Sequence, residues 1–274
     1  DIDNGLGISL LSSFADDTRI LAAVTNVLQA SNLQNDLEVV YEWARANKME
    51  FNSSKFELLR YWLKDEALKY CTNYTSPSGS IIPEREHVKD LGVTLSDDGT
   101  FKEHVRRVVT KVKNLISWIL RSFSSRSAEV MLTLWKSVVL PHIEYAAQLW
   151  SPIQKGPIQL LEDLQWSFLR KIKSCTRGNY WATLKKFKLY SLERRRERYR
   201  IIYLWKIMEG IVPNLDSNGE IQQTHNERQG RKVRLKKDVL NSSSRIRTLR
   251  DGSFSANAAK IFNALPKEIR NSTD

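Results

Sequence analysis

The spacing of apolar residues changes period near residue 100, and that change most constrains the fold. Before it, short apolar stretches are broken by polar turns. Ile8, Leu10 and Leu11, then Ile20 to Val24, flank Phe14-Ala15-Asp16-Asp17, and His87 to Leu95 reads as a short strand pair ending at Ser96-Asp97-Asp98-Gly99. These patterns predict β-hairpins. Between them, Ser31 and Gln34 have capping-box spacing, and Leu33, Leu37, Val40, Tyr41 and Ala44 mark one helix face, predicting a helix from Ser31 to about Asn47. A polar turn at Asn52, Ser53 and Ser54 then precedes a segment expected to return to a sheet. From Phe101 onward Val105, Val108, Val112, Leu115, Ile116 and Ile119 share a face, with Lys102, Arg106, Arg107, Lys111 and Lys113 mostly off it.

Further helices are expected from Ser127 to Leu140, ended or kinked by Pro141, then around Ile158 to Ile172 and from Leu192 to Glu209. Residues 213–253 read as a mobile basic linker, and Phe254 to Phe262 resumes a helical pattern ended by Pro266. The expected fold class is therefore α+β. It comprises hairpins and a helix over residues 1–100, a mostly α-helical region over 101–212, and a basic linker with a C-terminal helical segment over 213–274.

Charge follows the same division. Residues 1–100 carry 9 Lys and Arg against 16 Asp and Glu, a net of −7, so the rest of the chain is +19 within a formal total of +12. An acidic segment followed by a strongly basic one suits a cation site beside a polyanion track. With 41% hydrophobic and 27% charged residues, the 274-residue chain has a globular composition. Cys71 and Cys175 make no disulfide framework, and the four histidines have no zinc-finger spacing with them, so a reducing compartment is expected. No apolar run approaches the roughly 20 residues of a membrane span. The chain begins Asp1-Ile2-Asp3 without a Met, which suggests a piece of a longer protein.

Adjacent carboxylates on a turn repel unless a cation neutralises them, and hard divalent ions take such oxygen ligands. Asp is also an ordinary turn residue, so Asp16 and Asp17 alone do not decide the matter. The run Arg194-Arg195-Arg196 with Arg198 and Arg200 reads equally as a phosphate grip or as a solvated face paired with Glu193 and Glu197. Arg231, Lys232, Arg234, Lys236 and Lys237 are placed for nonspecific nucleic-acid contact or for nuclear import. Trp118, Trp135, Trp166 and Trp205 fall in amphipathic helices, so core packing is expected for most of them rather than base stacking.

Several landmarks occur in one order. Phe14-Ala15-Asp16-Asp17 is followed by Asn52-Ser53-Ser54-Lys55, Lys89-Asp90-Leu91-Gly92-Val93, Leu140-Pro141-His142-Ile143-Glu144-Tyr145, Leu149-Trp150-Ser151-Pro152, Leu192-Glu193-Arg194-Arg195 and Phe262-Asn263-Ala264-Leu265-Pro266. Together they resemble the reverse transcriptases of non-LTR, jockey-like retrotransposons, from the end of the palm through the thumb and beyond. The resemblance implies a partial palm to residue 100 and a thumb over 101–212. It implies Mg²⁺ held by Asp16, with Asp17 as a supporting carboxylate, for two-metal nucleotidyl transfer. Lys55 matches a palm lysine near the leaving phosphate, although an exposed turn lysine reads the same way. Leu91-Gly92-Val93 resembles the primer-grip hairpin.

The implied partners are an RNA template, a DNA primer and an upstream segment holding the fingers, the other catalytic aspartate and possibly an endonuclease. With 13 residues before Phe14, this chain is expected to be inactive alone. Intracellular, nuclear action is likewise implied by the resemblance. The competing reading is a noncatalytic nucleic-acid-binding remnant of a decayed element.

Overall fold

The computed structural model describes residues 2, 5–61, 73–175, 179–212, 221–226, 230–235 and 253–271. The fold is α+β, and the chain divides into two compact units, Asp1–Thr100 and Phe101–Asp274.

The first unit is built on β1 (Leu10–Phe14), β2 (Asp17–Leu21), α1 (Val27–Ala46), β3 (His87–Asp90) and β4 (Val93–Ser96). Each strand pair is an antiparallel hairpin closed by two residues, with Phe14 opposite Asp17 in one and Asp90 opposite Val93 in the other. Helix α1 starts earlier than the capping-box spacing implied. Asn26 is the N-cap, accepting from the Gln29 amide at 2.8 Å, whereas Ser31 lies inside the helix and donates to the Val27 carbonyl. The early turn escapes a periodicity search because Val27 and Leu28 are exposed.

Leu37, Tyr41, Tyr74 and Ile82 form the buried cluster of this unit, and Ile20, Leu33, Phe51, Phe56 and Leu58 pack against it. Tyr41, Phe51 and Phe56 meet edge to face, with ring centroids 5.9–6.2 Å apart. Because both phenylalanines are drawn onto Tyr41, the intervening chain makes a short 3₁₀ turn, Ser53–Lys55, rather than the entry to a strand. Among the described residues of that segment, the expected return to a sheet amounts to one parallel bridge, Leu58 to Glu84.

In the second unit α2 (Lys102–Ser122) packs on α6 (Lys155–Leu169), burying Val105, Val109, Val112, Ile116 and Ile119 together with Leu161, Leu164 and Phe168. Between them α3 (Ala128–Leu134) passes through a π-helical turn, Trp135–Val139, into α4 (Leu140–Glu144). Pro141 therefore does not end the helix. The widened turn closes just before it, and Pro141 falls in the first turn of α4, where its missing N–H is not needed. After α5 (Ala147–Trp150) and α6 come α7 (Tyr180–Lys186) and α8 (Leu192–Met208).

Part of the expected mobile linker is a hairpin, β5 (Ile221–Asn226) with β6 (Gly230–Leu235), followed by α9 (Phe254–Ala264) and a last turn, α10 (Lys267–Arg270). Val233 of β6, Leu204 of α8 and Ala258, Ala259 and Phe262 of α9 form one buried cluster. The Asn263 side chain accepts from the Val233 N–H at 3.0 Å and donates to the Val233 carbonyl at 2.8 Å. Asn271 accepts from the Arg231 amide at 2.9 Å, and Arg270 donates to the Arg231 carbonyl at 2.6 Å. Glycine is strongly favoured at position 230. A Cβ on it would sit 2.6 Å from Asn271 Oδ1, and its φ is +70°.

Candidate functional site

Asp16 and Asp17 stand exposed at the tip of the β1–β2 hairpin, Asp16 in the loop and Asp17 opening β2. The first loop residue, Ala15, has φ +52°, a left-handed conformation that an alanine adopts at a cost of about 1–2 kcal/mol. Leu11 and Ile20, paired across the hairpin, are half-buried, and Ile20 reaches the Tyr41 cluster. The opposite face carries Leu10 and Leu21, a cross-strand pair, and Phe14, paired with Asp17. All three apolar side chains are more than half exposed, so an apolar strip adjoins the acidic tip.

The approach to β1 is fixed by Asp36 of α1. Its buried carboxylate accepts from the amides of Gly7 at 2.7 Å, Ile8 at 3.1 Å and Ser9 at 2.9 Å. Burial pushes this carboxyl up, but hydrogen bonding outweighs burial and leaves it below its ordinary value. Arg19 of β2 pairs with Asp90 at the end of β3, joining the acidic hairpin to the one resembling a primer grip. Neither Asp36 nor Arg19 stood out in the sequence. The only hint was Asp90's place beside Leu91-Gly92.

The two loop residues of the second hairpin, Leu91 and Gly92, both have positive φ, 44° and 84°. Gly92 is exposed, Leu91 half-buried and Val93 buried, so Val93 serves the core and only the loop is open to a ligand. Lys55 ends the 3₁₀ turn and is exposed, its backbone fixed by donation to the Asn52 carbonyl at 2.9 Å and by the two flanking phenylalanines. The acidic hairpin and the Lys55 turn thus rest on one apolar cluster. Among the described residues no three His, Cys, Asp or Glu side chains gather to hold a metal ion. Two exposed carboxylates fit a hard divalent cation in donor type and supply only part of its shell.

The basic residues divide sharply by environment. On α2, Arg106, Arg107 and Lys111 are exposed, and Arg106 and Arg107 share Glu103 at 3.7 and 3.0 Å. Such surface pairs leave the cations available. Of the α8 arginines only Arg194 and Arg198 are exposed. Arg195 is spent internally, bonded through its guanidinium to Glu144 and, at 3.0 Å, to Tyr199; those bonds to Glu144 hold it above its ordinary pKa. Arg196 and Arg200 are buried, and burial lowers both. In the C-terminal hairpin Arg231 pairs with Glu209, Lys232 is half-buried and Arg234 is exposed. Lys236 and Lys237 lie outside the described residues.

Glu162 of α6 caps α8. It accepts from the amides of Leu192 at 3.2 Å and Glu193 at 2.7 Å and from the Tyr180 hydroxyl. Of the tryptophans, Trp135 is fully buried, Trp166 and Trp205 are half-buried, and Trp118 is half exposed. No helix among the described residues is long and apolar enough to cross a membrane.

Comparison with known proteins gives this arrangement its context. The chain is 26% identical over 170 residues to an RNA-directed DNA polymerase from mobile element jockey of Drosophila funebris, and 27% identical over 168 residues to the jockey polymerase of Drosophila melanogaster. It is 28% identical over 177 residues to a probable RNA-directed DNA polymerase from transposon X-element of Drosophila melanogaster. The chain is thus similar to RNA-directed DNA polymerases of jockey-type mobile elements. These matches cover 60–62% of the chain and 18–19% of each relative's length. No family profile matches the chain, and no solved structure resembles it. The strand–turn–strand carrying the acidic pair and the helical unit beyond it accord with the end of a palm and a thumb.

Proposed function

We propose that this chain is the palm-end and thumb portion of an RNA-directed DNA polymerase that works with an upstream segment of the same polyprotein. The observation that carries the reading is the hairpin tip. Two adjacent exposed carboxylates stand on a strained turn, beside an apolar strip, in a chain related to jockey-type polymerases. Asp16 and Asp17 would hold Mg²⁺, which when bound would activate the primer hydroxyl and stabilise the leaving pyrophosphate. The chain's own residues do the positioning. Asp36 and Ile20 fix the hairpin, the Arg19–Asp90 pair ties it to the Leu91-Gly92 loop, and the aromatic cluster presents Lys55. The exposed strip of Leu10, Phe14 and Leu21 is the surface on which upstream palm strands would close. Arg106, Arg107 and Lys111, with Arg194 and Arg198, would contact template and primer phosphates. The site of action would be chromosomal DNA in the nucleus.

By itself the chain is expected not to polymerise, because it contributes one carboxylate pair to a site that also needs an upstream aspartate. The test is primer extension on an RNA template with Mg²⁺, using the purified chain alone and joined to a jockey-type upstream half. Extension should occur only in the joined form and be lost on Asp16→Asn. Extension by the isolated chain, abolished by the same substitution, would overturn the reading.

A further inference from the structure

Helix α2 carries more than a basic flank. Lys102, Arg106, Arg107, Lys111, Lys113 and Arg121 are all exposed, and Glu103 is the one acidic residue of the helix. At 1.5 Å per residue, its 21 residues make a rod about 30 Å long with cations along most of one side. Near its C-terminal end the same stripe bears an aromatic side chain. Trp118 follows Arg107, Lys111 and Asn114 at helical spacing and is 50% exposed.

This exposure is maintained by a built support. Phe123, just past the helix, meets Trp118 edge to face, with centroids 6.3 Å apart and planes 82° apart. Phe123 is held in turn by Arg126, whose guanidinium donates to the carbonyls of Leu120 at 2.7 Å, Ser125 at 3.1 Å and Phe123. The Arg126 carbonyl accepts from the Lys173 amide at 2.8 Å, anchoring the loop to the segment after α6. Half of the indole is in water, and on its stripe it stands between Asn114 and Arg121, with Lys111 and Arg107 in the turns before.

From this arrangement we infer that Trp118, supported by Phe123, is a base-stacking platform for single-stranded nucleic acid whose backbone runs along the α2 cations. Stacking tolerates any base and requires an unpaired one, whereas the cations bind paired and unpaired strands alike. The platform rests on the nucleic-acid reading of α2 given above and adds a preference for a single strand at its C-terminal end.

The experiment measures binding of a fluorescein-labelled oligouridylate and of an RNA duplex of equal strand length to the full chain, by anisotropy across a salt series. Trp118→Ala should weaken oligouridylate binding about tenfold while changing duplex binding less than about twofold, and Trp118→Tyr should restore it. Arg107→Gln combined with Lys111→Gln should weaken both ligands and flatten both salt slopes. If the charge variant behaves so but Trp118→Ala changes nothing, the platform is wrong and the basic-face reading stands. Equal weakening of both ligands by Trp118→Ala would mark the indole as a support of the helix end and overturn stacking. If the charge variant alters neither ligand, the nucleic-acid reading of α2 fails and the platform falls with it.

Discussion

In the first hundred residues, eight apolar side chains are buried among those described, against twenty-four in the remainder, and the difference is one of construction as well as size. The helical unit closes on itself, with α2, α4 and α6 enclosing Trp135, Ile143, Leu161 and Phe168 at 0% exposure. The N-terminal unit combines one helix with two separate two-stranded hairpins and leaves Leu10, Phe14 and Leu21 in water on the face beside the acidic tip. An isolated two-stranded hairpin is marginal in water, so the unit bearing the acidic pair gains most from further strands. Where chemistry is proposed the architecture is open, and where binding is proposed it is finished.

The strongest challenge to this contrast is Trp135→Ala, which should cost about 3–5 kcal/mol by denaturant unfolding and leave the amide exchange of the β1–β2 hairpin unchanged. Loss of protection in both units would show that they fold as one. His104 offers a second test. Buried against Trp150, with Arg107 adding to the effect of burial, it is pushed down to about 4 from an ordinary 6.5. Its folded value is the lower one, so the unfolded chain binds the extra proton. The stability it confers is complete above pH 6.5 and is lost as the pH falls towards 4. The helical unit should lose about 3 kcal/mol across that window, and His104→Gln should flatten the profile.

In the N-terminal unit, Asp36→Ala should cost about 2 kcal/mol and raise the exchange rates of the Gly7, Ile8 and Ser9 amides, with no effect on α2. The native contribution of Asp36 is present above its unfolded pKa and vanishes as pH falls below about 4. The smallest effect has the opposite sign. Ala15→Gly relieves a left-handed alanine and should raise hairpin stability by about 0.5–1 kcal/mol, read as slower amide exchange in β1 and β2. A loss instead would mean that the turn conformation is held by more than its own backbone preference.

How far residues disclosed this arrangement depended on whether one side chain or several carried the signal. The hairpin at Phe14 to Asp17 and helices α2 and α8 were readable, because turn residues sit between apolar runs or apolar residues recur every third or fourth position. The start of α1 was not. Its first turn faces water, and only Asn26 marks it. The β5–β6 hairpin was hidden for a related reason: basic residues dominate β6, and among its described side chains only Val233 reaches the buried cluster.

The α8 arginines show a different limit. Leu192, Arg196, Arg200 and Leu204 follow one another at a spacing of four and share the buried side, so neither a phosphate grip nor a solvated face describes Arg196 and Arg200; residue type argued against their burial. In the candidate site the sequence located Asp16 and Asp17, but the tethers that place them, Asp36 and Arg19 with Asp90, join residues at least 27 positions apart.

The cover on β6 imposes an order of events during synthesis. Val233 and Arg231 are translated before Asn263, Arg270 and Asn271, the side chains that satisfy their backbone groups. Until those side chains dock, β6 has an open strand edge rich in lysine and arginine, charges that discourage pairing with a neighbouring chain.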